Sequence, residues 1–171
     1  MQPKTVLITG CSSGIGHATA KLFLTEDWRV YATARDPADI GTVTDHDACR
    51  ALELDVTADG HCRRAVNRVM HESGRIDCLV NNAGYGQLGP IEDVPIRQVG
   101  KQFDVNVYGP HRLTRLVLPH MREQGTGTIV NISSVSGRVG FPGAGVYCGS
   151  KAALELMTDA LRAEIDEYGL D

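Results

Sequence analysis

Val6-Leu7-Ile8-Thr9-Gly10-Cys11-Ser12-Ser13-Gly14-Ile15-Gly16 decides how this chain is read. Val6-Leu7-Ile8 is a short apolar run of the kind that forms a strand buried on both faces. The residues that follow carry Ile15, Ala18 and Leu22 at i, i+3 and i+7, the spacing of one apolar helix face. Between strand and helix lies a loop in which three glycines have separate uses. Gly10 permits a tight turn, Gly14 lets the backbone approach a pyrophosphate, and Gly16 lets the helix lie close to the strand. The helix N-terminus then offers free N–H groups and partial positive charge to phosphate oxygens. Gly10, Ser12, Ser13, Gly14, Ile15 and Gly16 are therefore the candidate phosphate cradle. The spacing is G-x3-G-x-G, and a flexible Gly/Ser loop would share the composition. The strand-to-helix context favours nucleotide binding.

Working outward, strand and helix alternate. Val30-Tyr31-Ala32-Thr33 reads as a second strand and Ala51-Leu52-Glu53-Leu54 as a third. Cys62, Ala65, Val66, Val69 and Met70 form a helical stripe that Gly74 stops. Cys78-Leu79-Val80 is a fourth strand and Thr128 to Ile132 a fifth, with a long helix marked by Leu113, Leu116, Val117 and Met121 between them. Leu154, Met157, Leu161 and Ile165 line a last helix, capped by Gly169. Crossover connections of this kind give a parallel sheet with helices on both faces, an α/β/α arrangement of three layers. One domain over residues 1–171 is expected, with its C-terminal strands missing and the fifth strand left at or near an open edge.

Bulk composition excludes several classes of function. The net charge is −4 over 171 residues, so there is no basic surplus and nucleic acid is not an expected partner. No apolar run approaches the roughly 20 residues that span a membrane. The five cysteines form no CxxC pair and no metal-ligand spacing, and neither do the six histidines. Scattered, odd-numbered cysteines suit reduced thiols, so the expected location is the cytoplasm.

Tyr147 and Lys151 stand four apart, on one helical face. A fixed positive charge about 5 Å from a phenol, at an effective dielectric near 20, favours its ionised form by roughly 3 kcal/mol. That moves a phenol towards acid–base work at neutral pH. The spacing alone favours an ordinary solvated pair on a surface helix. The other motifs decide. Thr9 to Gly16, Asp55-Val56, Asn81-Asn82-Ala83-Gly84, Asn106, Ser134, and Tyr147 with Lys151 occur in the order and at the intervals of the short-chain dehydrogenase/reductases, which this chain resembles over essentially its whole length. The glycine loop and Tyr31 to Asp36 look most like the 17β-hydroxysteroid and retinol dehydrogenase group.

The resemblance implies a Rossmann-type doubly wound parallel sheet and a role for each matching residue. Tyr147 would be the general acid–base, and Lys151 would assist it and bind the nicotinamide ribose. Ser134, thirteen residues before the tyrosine, would hydrogen-bond the substrate oxygen. Asn106, beside a local kink in its helix, would hold a water that relays protons from Lys151. Asn82, Ala83 and Gly84 would run beside the cofactor, and Asp55 and Val56 would contact the adenine. From the residues alone, Asp55 could equally cap a helix starting near Thr57, and Ser133 or Ser134 could simply close a turn.

The end of the second strand offers Ala34 and Arg35 where an acid would select NAD. Arg35 can pair with a 2′-phosphate through two parallel hydrogen bonds, so NADP(H) is favoured, with NAD(H) possible. The expected activity is hydride transfer to or from a small, hydrophobic alcohol or ketone. The competing reading is a nucleotide-binding sensor or scaffold without turnover. Epimerase chemistry, which shares the Tyr-x3-Lys pair, is disfavoured by the glycine spacing. A homodimer or homotetramer paired through helices near 107–122 and 149–168 is expected.

Overall fold

The computed structural model describes residues 2–171; Met1 lies outside them. Five strands form one sheet: β1 (Thr5–Ile8), β2 (Arg29–Ala34), β3 (Cys49–Glu53), β4 (Cys78–Asn81) and β5 (Thr128–Asn131). Their order is β3-β2-β1-β4-β5, and every neighbouring pair is parallel. The order reverses direction between β1 and β4, which opens a crevice beyond their carboxyl ends. Helices α1 (Gly14–Thr25), α2 (Asp59–Ser73), α3 (Ile96–Phe103) and α4 (Gly109–Gln124) lie in the crossovers, and α5 (Gly145–Ile165) follows β5. This is the Rossmann-type α/β fold that the alternation implies.

Most apolar strand side chains go to one of two cores. Leu7, Tyr31 and Leu79 pack with Val66 and Val69 of α2 and with Leu113, Val117 and Met121 of α4. Val6, Ile8, Val30, Ala32 and Val80 pack with Ala20 and Leu24 of α1 and with Ile40 and Val43 from a 3₁₀ segment, Pro37–Asp45. Strands buried on both faces leave no polar alternation, which is why β1 reads as a plain apolar run.

Several details differ from the pattern in the sequence. The buried face of α1 is Gly16, Ala20 and Leu24, while Ile15 and Leu22 are more than half exposed. The small residues let α1 sit against the sheet, closer than an Ile or Leu face could. β3 begins two residues earlier than expected, at Cys49, because it pairs from the start of β2. On α5, Leu154 and Ile165 are buried but Met157 is exposed. Gly74 ends α2 in the left-handed conformation, as expected, and Gly169 does the same for the 3₁₀ turn after α5.

β5 is the sheet's edge. Its free side meets the last residues of the chain: Asp171 N donates to Gly127 O (2.9 Å) and Ile129 N to Asp171 O (2.6 Å). All five cysteines are free and buried. Burial pushes the Cys11 and Cys78 thiols up to about 12 and Cys62 to about 11. No described helix is long and apolar enough to cross a membrane. No cluster of three or more His, Cys, Asp or Glu among the described residues could hold a metal ion.

Candidate active site

A cleft of about 980 Å³ runs across the carboxyl ends of the strands. One end is walled by the glycine loop (Gly10, Ser12, Ser13 and Ile15), with Arg35 at its mouth. Asp55 and Val56 line its side, Asn82, Ala83 and Gly84 its middle, and Tyr147 and Lys151 its far end.

The glycine loop is held by its neighbours rather than by itself. Thr9, fully buried, accepts at Oγ1 from the backbone N of both Asn82 and Ala83, each 2.9 Å away. Asn82 Nδ2 returns the contact, donating to Thr9 O (2.8 Å) and Gly10 O (3.0 Å). Four hydrogen bonds thus lock the loop after β1 to the loop after β4. Gly10 has φ +71°, and a Cβ on it would lie 2.9 Å from Ala83 Cα. A Cβ on Gly16 would sit 2.3 Å from Gly10 O. Gly14 is also left-handed, at φ +57°, but nothing lies within 4 Å of where its Cβ would be. Two glycines are therefore demanded by protein atoms. The third presents bare backbone to open space at a helix N-terminus, where Ser13 makes no side-chain cap. A cradle of this shape fits a phosphate group.

Arg35 is exposed, and its neighbour Asp36 is occupied elsewhere: its carboxylate accepts from Ala38 N (2.9 Å), capping the 3₁₀ segment. Asp55 does not cap α2, whose first residue is Asp59 and whose N-cap position is Ala58. Its carboxylate instead accepts from Thr57 N (2.9 Å) and Thr57 Oγ1 (2.7 Å). Burial alone would raise the Asp55 pKa, but the Thr57 hydrogen bonds, with His61 and Arg35, hold it below the usual carboxylate range. Val56 is fixed from behind, where Arg112 donates to its carbonyl (3.3 Å) and Gly109 packs too closely to carry a side chain.

Lys151 is almost fully buried, and its Nζ donates to Ile132 O (2.7 Å) at the end of β5. Burial pushes its pKa below the ordinary lysine value. The ammonium lies 5.9 Å from the Tyr147 ring centroid. Asn106 is buried within a π-helical turn, Asp104–Tyr108, that joins α3 to α4, which is the irregularity expected there. Its side chain accepts from Tyr85 N (3.1 Å) and donates to Tyr85 O (2.9 Å) and Ser150 Oγ (3.1 Å). A Cβ on Gly84 would lie 3.2 Å from Asn106 Oδ1 and 3.6 Å from Lys151 Nζ, so these three residues converge.

Four expected residues, Gly14, Gly16, Asn106 and Ser134, do not line the cleft itself. The cleft wall contains Ile132 and Ser133 but not Ser134. Ser134 Oγ accepts from Ser136 N (3.1 Å), closing the turn after β5, which leaves its hydroxyl hydrogen free to donate. Gln102, which no sequence pattern points to, is fully buried and bonded to the loop after β4. A polar residue in a helix pattern carries no signal that it will be buried.

Similarities to known proteins agree with this geometry. A 3-ketodihydrosphingosine reductase of Bacteroides thetaiotaomicron is 40% identical over 169 residues, covering 98% of this chain and 61% of that protein. An uncharacterized oxidoreductase of Escherichia coli K12, YbbO, is 39% identical over 170 residues, covering 98% of this chain and 62% of its own length. The chain thus spans about three fifths of these relatives. Among solved structures, a short-chain dehydrogenase from Streptomyces avermitilis superposes with a TM-score of 0.97 at 38% identity, over 100% of this chain and 64% of that one. A metagenomic short-chain oxidoreductase in complex with NADP superposes at 0.92 with 28% identity, over 98% and 77%. The short chain dehydrogenase family matches residues 4–171, and this chain belongs to it.

Proposed function

We propose that this chain forms the cofactor-binding and catalytic part of an NADP(H)-dependent oxidoreductase acting on a CH–OH or C=O group of an apolar substrate. The observation that carries the proposal is the shared cleft: Tyr147 and a buried Lys151 stand at one end, the glycine cradle and Arg35 at the other. The nicotinamide, when bound, supplies or accepts the hydride. The chain's residues do the rest. The cradle at Gly14, Ser12 and Ser13 receives phosphate oxygens. Arg35, free of Asp36, pairs with a 2′-phosphate, which favours NADP(H) over NAD(H). The relative solved in complex with NADP supports the same choice. Asp55 and Val56 flank the adenine, and Asn82, Ala83 and Gly84 lie along the cofactor.

Negative charge grows on the carbonyl oxygen as hydride arrives. Tyr147 gives it a proton, and the neighbouring ammonium of Lys151 favours that transfer electrostatically. Ser134, with its hydroxyl hydrogen free, turns to donate to the same oxygen. Asn106, in the π-helical turn, holds a water that links Lys151 to solvent as a proton relay.

The substrate side is apolar. Leu88, Ile91, Val135, Val139 and Phe141 are each 44% exposed or more, on the two loops that leave β4 and β5 beside Tyr147. Those loops are joined where Gly89 N donates to Gly143 O (2.8 Å). Steroid, retinoid and long-chain keto compounds are the first candidates. The relative named as a 3-ketodihydrosphingosine reductase fits the last of these. Pairing into dimers or tetramers through α4 and α5 accounts for exposed Tyr108, Leu156 and Met157.

The test follows NADPH absorbance with a ketone panel, comparing the unsubstituted protein with Tyr147→Phe. Turnover should fall by about 10³-fold or more while NADPH binding persists. Turnover surviving the substitution removes the mechanism. Binding without turnover in the unsubstituted protein favours a sensor instead.

A further inference from the structure

Gln102 makes an arrangement that the chemistry above does not use. It is fully buried in α3, one helical turn before Asn106. Its Oε1 accepts from Gln87 N (3.0 Å), and its Nε2 donates to Tyr85 O in a short hydrogen bond. Asn106 grips the same residue, accepting from Tyr85 N and donating to Tyr85 O. Two amide side chains, four residues apart, therefore satisfy three backbone groups of a segment with no regular structure of its own.

Between the gripped residues lies Gly86. A Cβ there would stand 3.7 Å from Tyr147 Cδ2 and 3.8 Å from Tyr147 Cγ, so the Tyr147 ring lies against Gly86. Leu88 is the next contact, at 4.0 Å. The backbone of 85–87 is thus the wall that limits where the Tyr147 ring can lean, and Gln102 fixes that wall.

We infer that Gln102 is a positioning residue for Tyr147: it holds the 85–87 backbone so that the phenol meets the substrate oxygen at the correct angle. This rests on the reading of Tyr147 as the acid–base group. An unbonded Gln87 N–H and a Tyr85 carbonyl with one partner fewer would let the segment drift by a fraction of an ångström. Displacements of that order lower the chemical step while leaving the phosphate cradle and Arg35, which Gln102 does not touch, in place.

The experiment uses the full-length protein with Gln102→Ala and Gln102→Glu. Hydrogen exchange at the Gln87 amide reads the Gln102 grip directly, with the Tyr85 amide, held by Asn106, as its neighbouring reference, and NADPH titration reads folding and the cofactor site. For Gln102→Ala, faster exchange at the Gln87 amide and a kcat lower by about 10- to 100-fold are expected, with NADPH affinity within about twofold of the unsubstituted protein. In Gln102→Glu, a protonated carboxyl reproduces both hydrogen bonds, and an ionised one loses the donor to Tyr85 O. Its activity should therefore recover at low pH and fall as pH rises, a limb absent from the unsubstituted protein. Unchanged exchange overturns the grip. Faster exchange with unchanged kcat, or a Gln102→Glu pH profile matching the unsubstituted one, overturns the positioning role. If the unsubstituted protein itself turns over no ketone, the oxidoreductase reading fails and the positioning role with it, while the exchange data still judge the grip.

Discussion

Replacing Gly16 with alanine puts a methyl group 2.3 Å from Gly10 O and 2.4 Å from Asn82 Nδ2. Neither atom can retreat alone, because Asn82 Nδ2 is bonded to both Thr9 O and Gly10 O. Losing those two hydrogen bonds costs about 1 kcal/mol each. Lifting α1 to make room also loosens the packing of Ala20 and Leu24, for about another 1–2 kcal/mol. The expected loss is about 3–4 kcal/mol. Gly14→Ala is the matched control: its Cβ meets nothing within 4 Å, so only left-handed strain remains, about 1–2 kcal/mol. For a chain of this size each kcal/mol moves Tm by about 2–4 °C. Thermal unfolding followed by circular dichroism should therefore drop by about 10 °C for Gly16→Ala and by a few degrees for Gly14→Ala. NADPH titration should weaken in both, since Gly14 serves the ligand and Gly16 serves the protein. Equal Tm losses would refute the division of labour between these glycines.

Three further outcomes are expected. Arg35→Asp should move the ratio of kcat/KM for NADPH over NADH at least tenfold towards NADH; an unchanged ratio would remove Arg35 from cofactor selection. Thr9→Val leaves the Asn82 and Ala83 amides without their acceptor and should cost about 2–4 kcal/mol in urea unfolding, whereas Thr9→Ser, which keeps the oxygen, should cost about 1 kcal/mol or less. Lys151 titrates lower in the folded chain than its ordinary 10.5 because it is buried, so between those two values the unfolded chain holds a proton the folded one has released. Stability therefore rises with pH across that window. Lys151→Met should flatten the rise in urea unfolding measured at alkaline pH, and an undiminished slope would assign it to another group.

What was legible from sequence divides along physical lines. β1, β2 and β4 could be read because strands buried on both faces must be apolar throughout. The stripes on α2 and α4 could be read because bulky side chains fill the space between helix and sheet. α1 misled for the opposite reason: where helix and strand almost touch, the buried face is glycine and alanine, and the conspicuous Ile15 and Leu22 turn outward. Around the site, residues acting through a distinctive side chain, Tyr147, Lys151 and Arg35, stood out. The interval to Tyr147 points to Ser134, whereas the structure puts its neighbour Ser133 in the cleft wall. Thr9 and Gln102 act by holding other residues' backbone, and the partner of such a contact is visible only after the chain has folded.

The five buried thiols have a use beyond packing. They lie on β3, β4, α2, α5 and the glycine loop, so nearly every layer carries one. A thiol closed off from solvent reacts with an alkylating reagent only when its surroundings open. The unmodified chain therefore carries its own set of opening sensors. Ranking the five alkylation rates by mass spectrometry, with and without nucleotide, would map which part of the sheet loosens first. Cys11, inside the loop that Asn82 and Thr9 hold shut, should be the one whose rate a bound nucleotide slows most.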